Sequence, residues 1–198
     1  MLTLERRSFP VEEFRAVRAE GQAGPKIAGY AAVFNKRSQM MFGMVEQISP
    51  GAFTKALASS DVRALWNHNP DYVLGRQKAG TLRLEQDERG LRFENDPPDT
   101  QWARDLLVSI ERGDVGEMSF SFLVKADEWT TEGKIMVRTI TEFEEVRDVS
   151  PVTFPAYRQA KLALRSDEAL VEEGRRRLAE ATAAATPTDV LRRRLALG

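Results

Sequence analysis

Residues Glu117–Lys125, EMSFSFLVK, alternate so strictly that an extended strand is the one regular conformation they suit. Met118, Phe120, Phe122 and Val124 fall on one side of that strand, and Ser119, Ser121, Leu123 and Lys125 on the other. A helix would scatter the large apolar groups around its circumference, whereas a strand gathers them onto one face. That face must be core. The opposite face then carries two hydroxyls side by side, about 7 Å apart by strand geometry. Taken alone, the strand presents them as an ordinary polar row toward solvent.

Around this strand the chain reads as sheet with a few helices. Ile27–Phe34 (IAGYAAVF) has the aromatic and β-branched content of a strand, and Met40–Ile48 resumes one until Ser49-Pro50-Gly51 breaks it. Phe53–Ala58 suits a short helix, and Val62–Trp66 alternates as a strand with His68 just past its end. Thr81–Glu85 and Leu91–Glu94 flank Asp87–Gly90 as a hairpin. Pro97-Pro98-Asp99-Thr100 stops the sheet, and Asp99 or Thr100 is placed to cap a helix over 100–112. Trp102, Leu106 and Ile110 line one face of that helix, and Arg112-Gly113 ends it. Trp129–Gly133 reads as a turn and Ile135–Ile140 as the returning strand. Phe143–Val149 is acidic and partly alternating. The prolines of Ser150–Pro155 suggest an unpaired, extended loop lining a site. Beyond about Arg165, Ala, Glu, Arg and Leu take over.

Composition narrows the chemistry. The chain has one histidine, His68, and no cysteine. Thiol nucleophiles, disulfides, thiolate metal sites and two-histidine metal motifs are therefore excluded, and no cofactor is implied. Imidazole has an ordinary pKa near 6.5, which makes His68 the natural proton carrier near neutral pH. A serine hydroxyl is a weak nucleophile until such a base takes its proton, and a carboxylate is then needed to hold the imidazole. Lys plus Arg number 29 and Asp plus Glu 30, so no overall field draws the chain to nucleic acid. The Arg175–Arg177 and Arg192–Arg194 clusters are balanced by neighbouring acids and suit a solvated or partner-binding helix. No apolar run approaches about 18 residues, so no membrane span is expected.

IAGYAAVFN, SPGAF, WNH, LGR, GLRFE, RGDVGEMSFSF and DVSPVTFPAY occur in an order that resembles the prohead maturation serine proteases of tailed phages and prophages. More distantly, it is similar to the herpesvirus assembly proteases. The resemblance spans about residues 27–165, leaving 1–26 as an N-terminal extension and 166–198 as a charged tail, helical or disordered. It implies an α+β fold: a mainly antiparallel, barrel-like sheet flanked by helices, similar to the herpesvirus proteases. It also implies an endopeptidase inside the immature capsid, in the cytoplasm of a bacterial host. Its substrates would be scaffold, or the scaffold-like segment of the major capsid protein, and usually the protease itself. Carried over by motif, the nucleophile falls on Ser119, the base on His68 and the orienting acid on Asp148. Glu145 and Glu144 are the alternative acids, and Ser121 the alternative nucleophile. The family often has glycine at the position of Ser121, and the herpesvirus relatives use a second histidine as third member, which this chain lacks. Oxyanion donors are expected within 149–154, and a homodimer by the same analogy. The competing function is an inactive assembly or scaffold-binding protein that keeps the fold.

Overall fold

The computed structural model describes residues 3–8, 13–17, 24–41, 43–154 and 164–184. They form two sheets. The four-stranded sheet runs β2 (Arg15–Val17), β3 (Lys26–Val33), β8 (Gly90–Asn95) and β7 (Leu82–Gln86), all antiparallel. The six-stranded sheet runs β1 (Glu5–Ser8), β9 (Glu117–Glu132), β10 (Ile135–Val152), β5 (Arg63–Trp66) and β6 (Asn69–Arg76). Its sixth strand, β4 (Met44–Ile48), pairs with the first half of β10, while β5 pairs with the second half, both in parallel.

β9 and β10 are the spine, 16 and 18 residues long. Their ladder slips four times between Ile140 and Asp148. Each slip bends the pair and re-aims side chains. The apolar face of EMSFSF is the core: Phe120 and Phe122 are fully buried and meet Phe53 and Phe143, with Phe53 stacked on Phe143 at 4.4 Å. Helix α1 (Thr54–Ser59) follows Phe53 into this cluster through Ala56. Helix α2 (Gln101–Glu111) buries Ala103, Leu106, Leu107 and Ile110, as its four-residue periodicity requires. Each large side chain so buried contributes about 1.5–3 kcal/mol.

The expected barrel does not form. Two open sheets pack on one shared core, and the larger one is mixed because β10 has parallel neighbours on one side. The turn expected at Trp129–Gly133 is strand up to Glu132, and Gly133 (φ 61°) with Lys134 makes the reversal. Thr100 takes the N-cap position of α2, but no side chain caps the first turn: the buried Thr100 hydroxyl has no partner, and Asp99 is held by Arg104. The start of the Ser150–Pro155 segment is not a loop. β10 continues to Val152, with Pro151 opposite Met118 and its carbonyl accepting the Asn67 N–H at 3.0 Å.

The segment before Ile27 supplies β1 and β2 to the two sheets. The tail contains α3 (Leu164–Ala184), while 185–198 lies outside the described residues. α3 packs Val171 into a small cluster with Met41, Met44 and Met136, and its Gly174 lies flat against the Trp129 ring. No described helix is long and apolar enough to cross a membrane.

Candidate active site

His68 stands at the tip of the β5–β6 hairpin. Trp66 pairs with Asn69, so Asn67 and His68 form a two-residue loop, with φ of 55° and 57°. Such loops demand positive φ at both central positions, and Asn and His are among the few side chains that tolerate it. The tip is tied to the end of β10. Asn67 Oδ1 accepts the Thr153 N–H at 2.9 Å, and Asn67 Nδ2 donates to Thr153 Oγ1 at 3.2 Å. The turn is what aims the imidazole of the expected proton carrier.

Ser119 comes from β9 and Asp148 from β10. In their ladder Ser119 faces Ser150, and Ser121 faces Asp148, so four polar side chains share one face. His68 lies over them. Its Nε2 is 2.7 Å from Ser119 Oγ and its Nδ1 is 2.5 Å from Asp148 Oδ1. The tautomer with the proton on Nδ1 satisfies both contacts: Nδ1–H donates to Asp148, and Nε2 accepts from Ser119. Asp148 Oδ1 also accepts the Ser150 hydroxyl at 2.6 Å. Burial pushes the Asp148 carboxyl up, but hydrogen bonds from His68, Ser121 and Ser150 and the attraction of His68 outweigh it. Its pKa therefore lies below the ordinary carboxylate value.

The structure brings together Ser119, His68 and Asp148, leaves the alternative acids Glu145 and Glu144 outside the cluster, and puts the alternative nucleophile Ser121 on the other side of the ring from Ser119. Glu145 is an exposed partner of Arg147, and Glu144 an exposed partner of Lys125 at 2.7 Å. Strand parity favours Glu144 with Asp148 only if β10 is regular, and the slips between Phe143 and Asp148 remove that relation. Ser121 Oγ is 3.3 Å from Nδ1, the nitrogen already engaged by Asp148, and is itself reached by Arg6 Nε at 3.3 Å. Of the segment expected to hold oxyanion donors, the Thr153 N–H is already taken by Asn67.

Two participants escaped the sequence reading. Ser150 reads as a loop residue, and only the continuation of β10 places it beside Asp148. Strand β1 pairs antiparallel with β9, setting Ser8 opposite Ser119 and Arg6 opposite Ser121. Ser119, expected on an open polar row, is thereby fully buried.

The family model for caudovirus prohead serine proteases matches residues 12–173. The prohead protease of Enterobacteria phage HK97 is 33% identical over 141 residues, which is 68% of this chain and 57% of that protein. The chain thus spans a little over half the length of that curated relative. The structure of the bacteriophage T4 capsid assembly protease aligns over 76% of this chain and 96% of its own, with 12% identity and a TM-score of 0.49.

Proposed function

The chain belongs to the caudovirus prohead serine protease family, and we propose that it is a serine endopeptidase of capsid maturation, with Ser119 as nucleophile, His68 as general base and then acid, and Asp148 as orienting carboxylate. Its substrate is scaffold, or the scaffold-like segment of the major capsid protein, and the chain itself. It works inside the immature capsid in the host cytoplasm.

The observation that carries this reading is the relay of two contacts through one ring, Ser119 Oγ to Nε2 at 2.7 Å and Nδ1 to Asp148 at 2.5 Å. In that arrangement Ser119 Oγ attacks the scissile carbonyl as its proton passes to Nε2. The Asp148 carboxylate, kept ionised by its hydrogen bonds, stabilises the imidazolium that results. His68 then hands the proton to the leaving amine, and water releases the acyl group by the same relay in reverse.

Co-expression with the cognate capsid protein tests the proposal. The expected result is processing by the wild type and none by Ser119→Ala or His68→Ala. Full processing by either variant would end this mechanism. A chain that neither processes capsid protein nor reacts with a serine-directed phosphonate would be an inactive assembly protein instead. Homodimerisation rests on the herpesvirus resemblance alone, and sedimentation showing a fully active monomer at all concentrations would remove it.

A further inference from the structure

Among the described residues only two aromatic side chains stand exposed, Tyr72 at 38% and Phe154 at 56%. Tyr72 has aromatic company: its ring meets Trp66 at 5.6 Å and Trp102 at 5.2 Å, both edge to face. A single exposed apolar side chain is ordinary on a protein surface, so exposure alone assigns nothing to Phe154. Its position does. Phe154 follows directly on Thr153, which the His68 hairpin holds. The Asn67 N–H donates to the Pro151 carbonyl at 3.0 Å, the Thr153 N–H donates to Asn67 Oδ1 at 2.9 Å, and Asn67 Nδ2 donates to Thr153 Oγ1 at 3.2 Å. The backbone that carries Phe154 and the loop that aims the imidazole are thus bonded as one piece. Ser150, four residues before Phe154, faces Ser119 across the ladder. At about 3.3 Å per residue, Phe154 lies within about 13 Å of that pair, a span that roughly three extended substrate residues and a side chain cross.

The chemistry fixes which part of a substrate passes there. His68 takes the Ser119 proton and returns it to the leaving amine. The segment beyond the scissile bond therefore starts beside the hairpin tip, while the acyl segment stays on Ser119. At the same end of the sheet β10 stops at Val152, and Val152 is paired with Glu117, which is exposed. A substrate side chain arriving here meets a phenyl ring and a carboxylate. It gains by being apolar and loses by being acidic.

We propose that Phe154 is a specificity-determining residue for the leaving side of the substrate: its ring receives an apolar side chain within about the first three residues after the scissile bond. This deepens the serine-protease reading above and rests on it. Tyr72 takes no part in the subsite, because β5 lies between β6 and β10.

The test compares two substrates built on the bond that is cut in the cognate capsid protein. One is a peptide that runs well past that bond. The other has the same acyl side but ends in a p-nitroanilide, and so has no leaving chain. The natural site should carry an apolar side chain in the stated positions. Phe154→Ala should lower kcat/KM on the peptide about tenfold, while anilide hydrolysis and phosphonate labelling of Ser119 stay within about twofold of wild type. Phe154→Leu should restore most of the peptide rate. Replacing the apolar side chain of the peptide by an acidic one should cost the wild type about tenfold or more and Phe154→Ala less. Since Phe154 is exposed, these variants should keep the wild-type thermal transition. Equal loss on both substrates, no loss on either, or a natural site with no apolar residue in those positions overturns the assignment and leaves the protease standing. Wild-type protein that neither labels nor cuts either substrate overturns the protease reading, and this proposal with it.

Discussion

Ser150 Oγ donates to the same Asp148 oxygen that receives the His68 Nδ1–H, at 2.6 and 2.5 Å. One carboxylate oxygen thus takes two short hydrogen bonds, and Ser150 shares in keeping it ionised and in place. Ser150→Ala should reduce kcat about five- to thirtyfold with KM little changed, since a hydrogen bond to a charged group is worth roughly 1.5–3 kcal/mol and only part of it bears on the reaction. Steady-state kinetics on a capsid-derived peptide would check this. A rise in KM at unchanged kcat would show that Ser150 serves substrate binding instead.

Asp148→Asn should lower kcat by about 10⁴ while leaving the fold intact, because the amide cannot accept Nδ1–H as a carboxylate does and favours the wrong tautomer. Ser121→Ala should cost less than tenfold, since Ser121 meets the ring at 3.3 Å on the Nδ1 side, away from Ser119. Phosphonate labelling rates for both variants, compared with circular dichroism spectra, separate chemistry from folding.

Asn67 holds a positive φ and three hydrogen bonds at the hairpin tip. Asn67→Ala loses both side-chain bonds and strains the turn, and should cost about 1–3 kcal/mol in chemical denaturation. Asn67→Gly keeps the backbone comfortable and should retain more stability. Both should lose activity, because the Thr153 tether that fixes the His68 loop is gone.

Gly174 has no room for a side chain: a Cβ there would stand 2.3 Å from the Trp129 ring. Gly174→Leu should undock α3 from the β9–β10 hairpin, with a shift in Trp129 fluorescence and new protease sensitivity between α3 and β10. The aromatic core around Phe53 and Phe120 lies in a separate cluster, so the main thermal transition should survive.

Glu46 predicts an acid limit to stability. Burial pushes its pKa up, but Arg7 and Arg138 pull it further the other way, and the net folded value is lowered. A lowered folded pKa means that its contribution is complete above the ordinary glutamate value, about 4.3, and is lost as pH falls through the folded one. Denaturation midpoints should therefore hold from neutral pH to about 4.5 and fall below it. Glu46→Gln should destabilise the protein at neutral pH by about 3–5 kcal/mol, the cost of breaking a buried pair, and should flatten the acid limb.

Local periodicity made much of this fold legible. The strand through Ser119, the amphipathic face of α2, the 82–95 hairpin and the turn at His68 all follow from residues close in sequence. The rest depends on pairings that span the chain. Nothing near Glu144 or Asp148 signals the slips in β10 that separate them, and nothing in Glu5-Arg6-Arg7-Ser8 says that its partner lies over a hundred residues on. A weak signal did exist: Glu46 and Arg138 are single charges inside the apolar runs MVEQI and IMVRTI. Charges so placed are buried only in pairs.

β1 precedes in the chain every group that it covers. Synthesis makes residues 5–8 before His68, His68 before Ser119, and Asp148 after all three. Since β9 and β10 must pair before the relay closes, β1 is already tethered nearby when the third member arrives. The cover over Ser119 is thus part of the same polypeptide as the relay and is made before it, so it stands at a fixed, high local concentration whenever the relay forms.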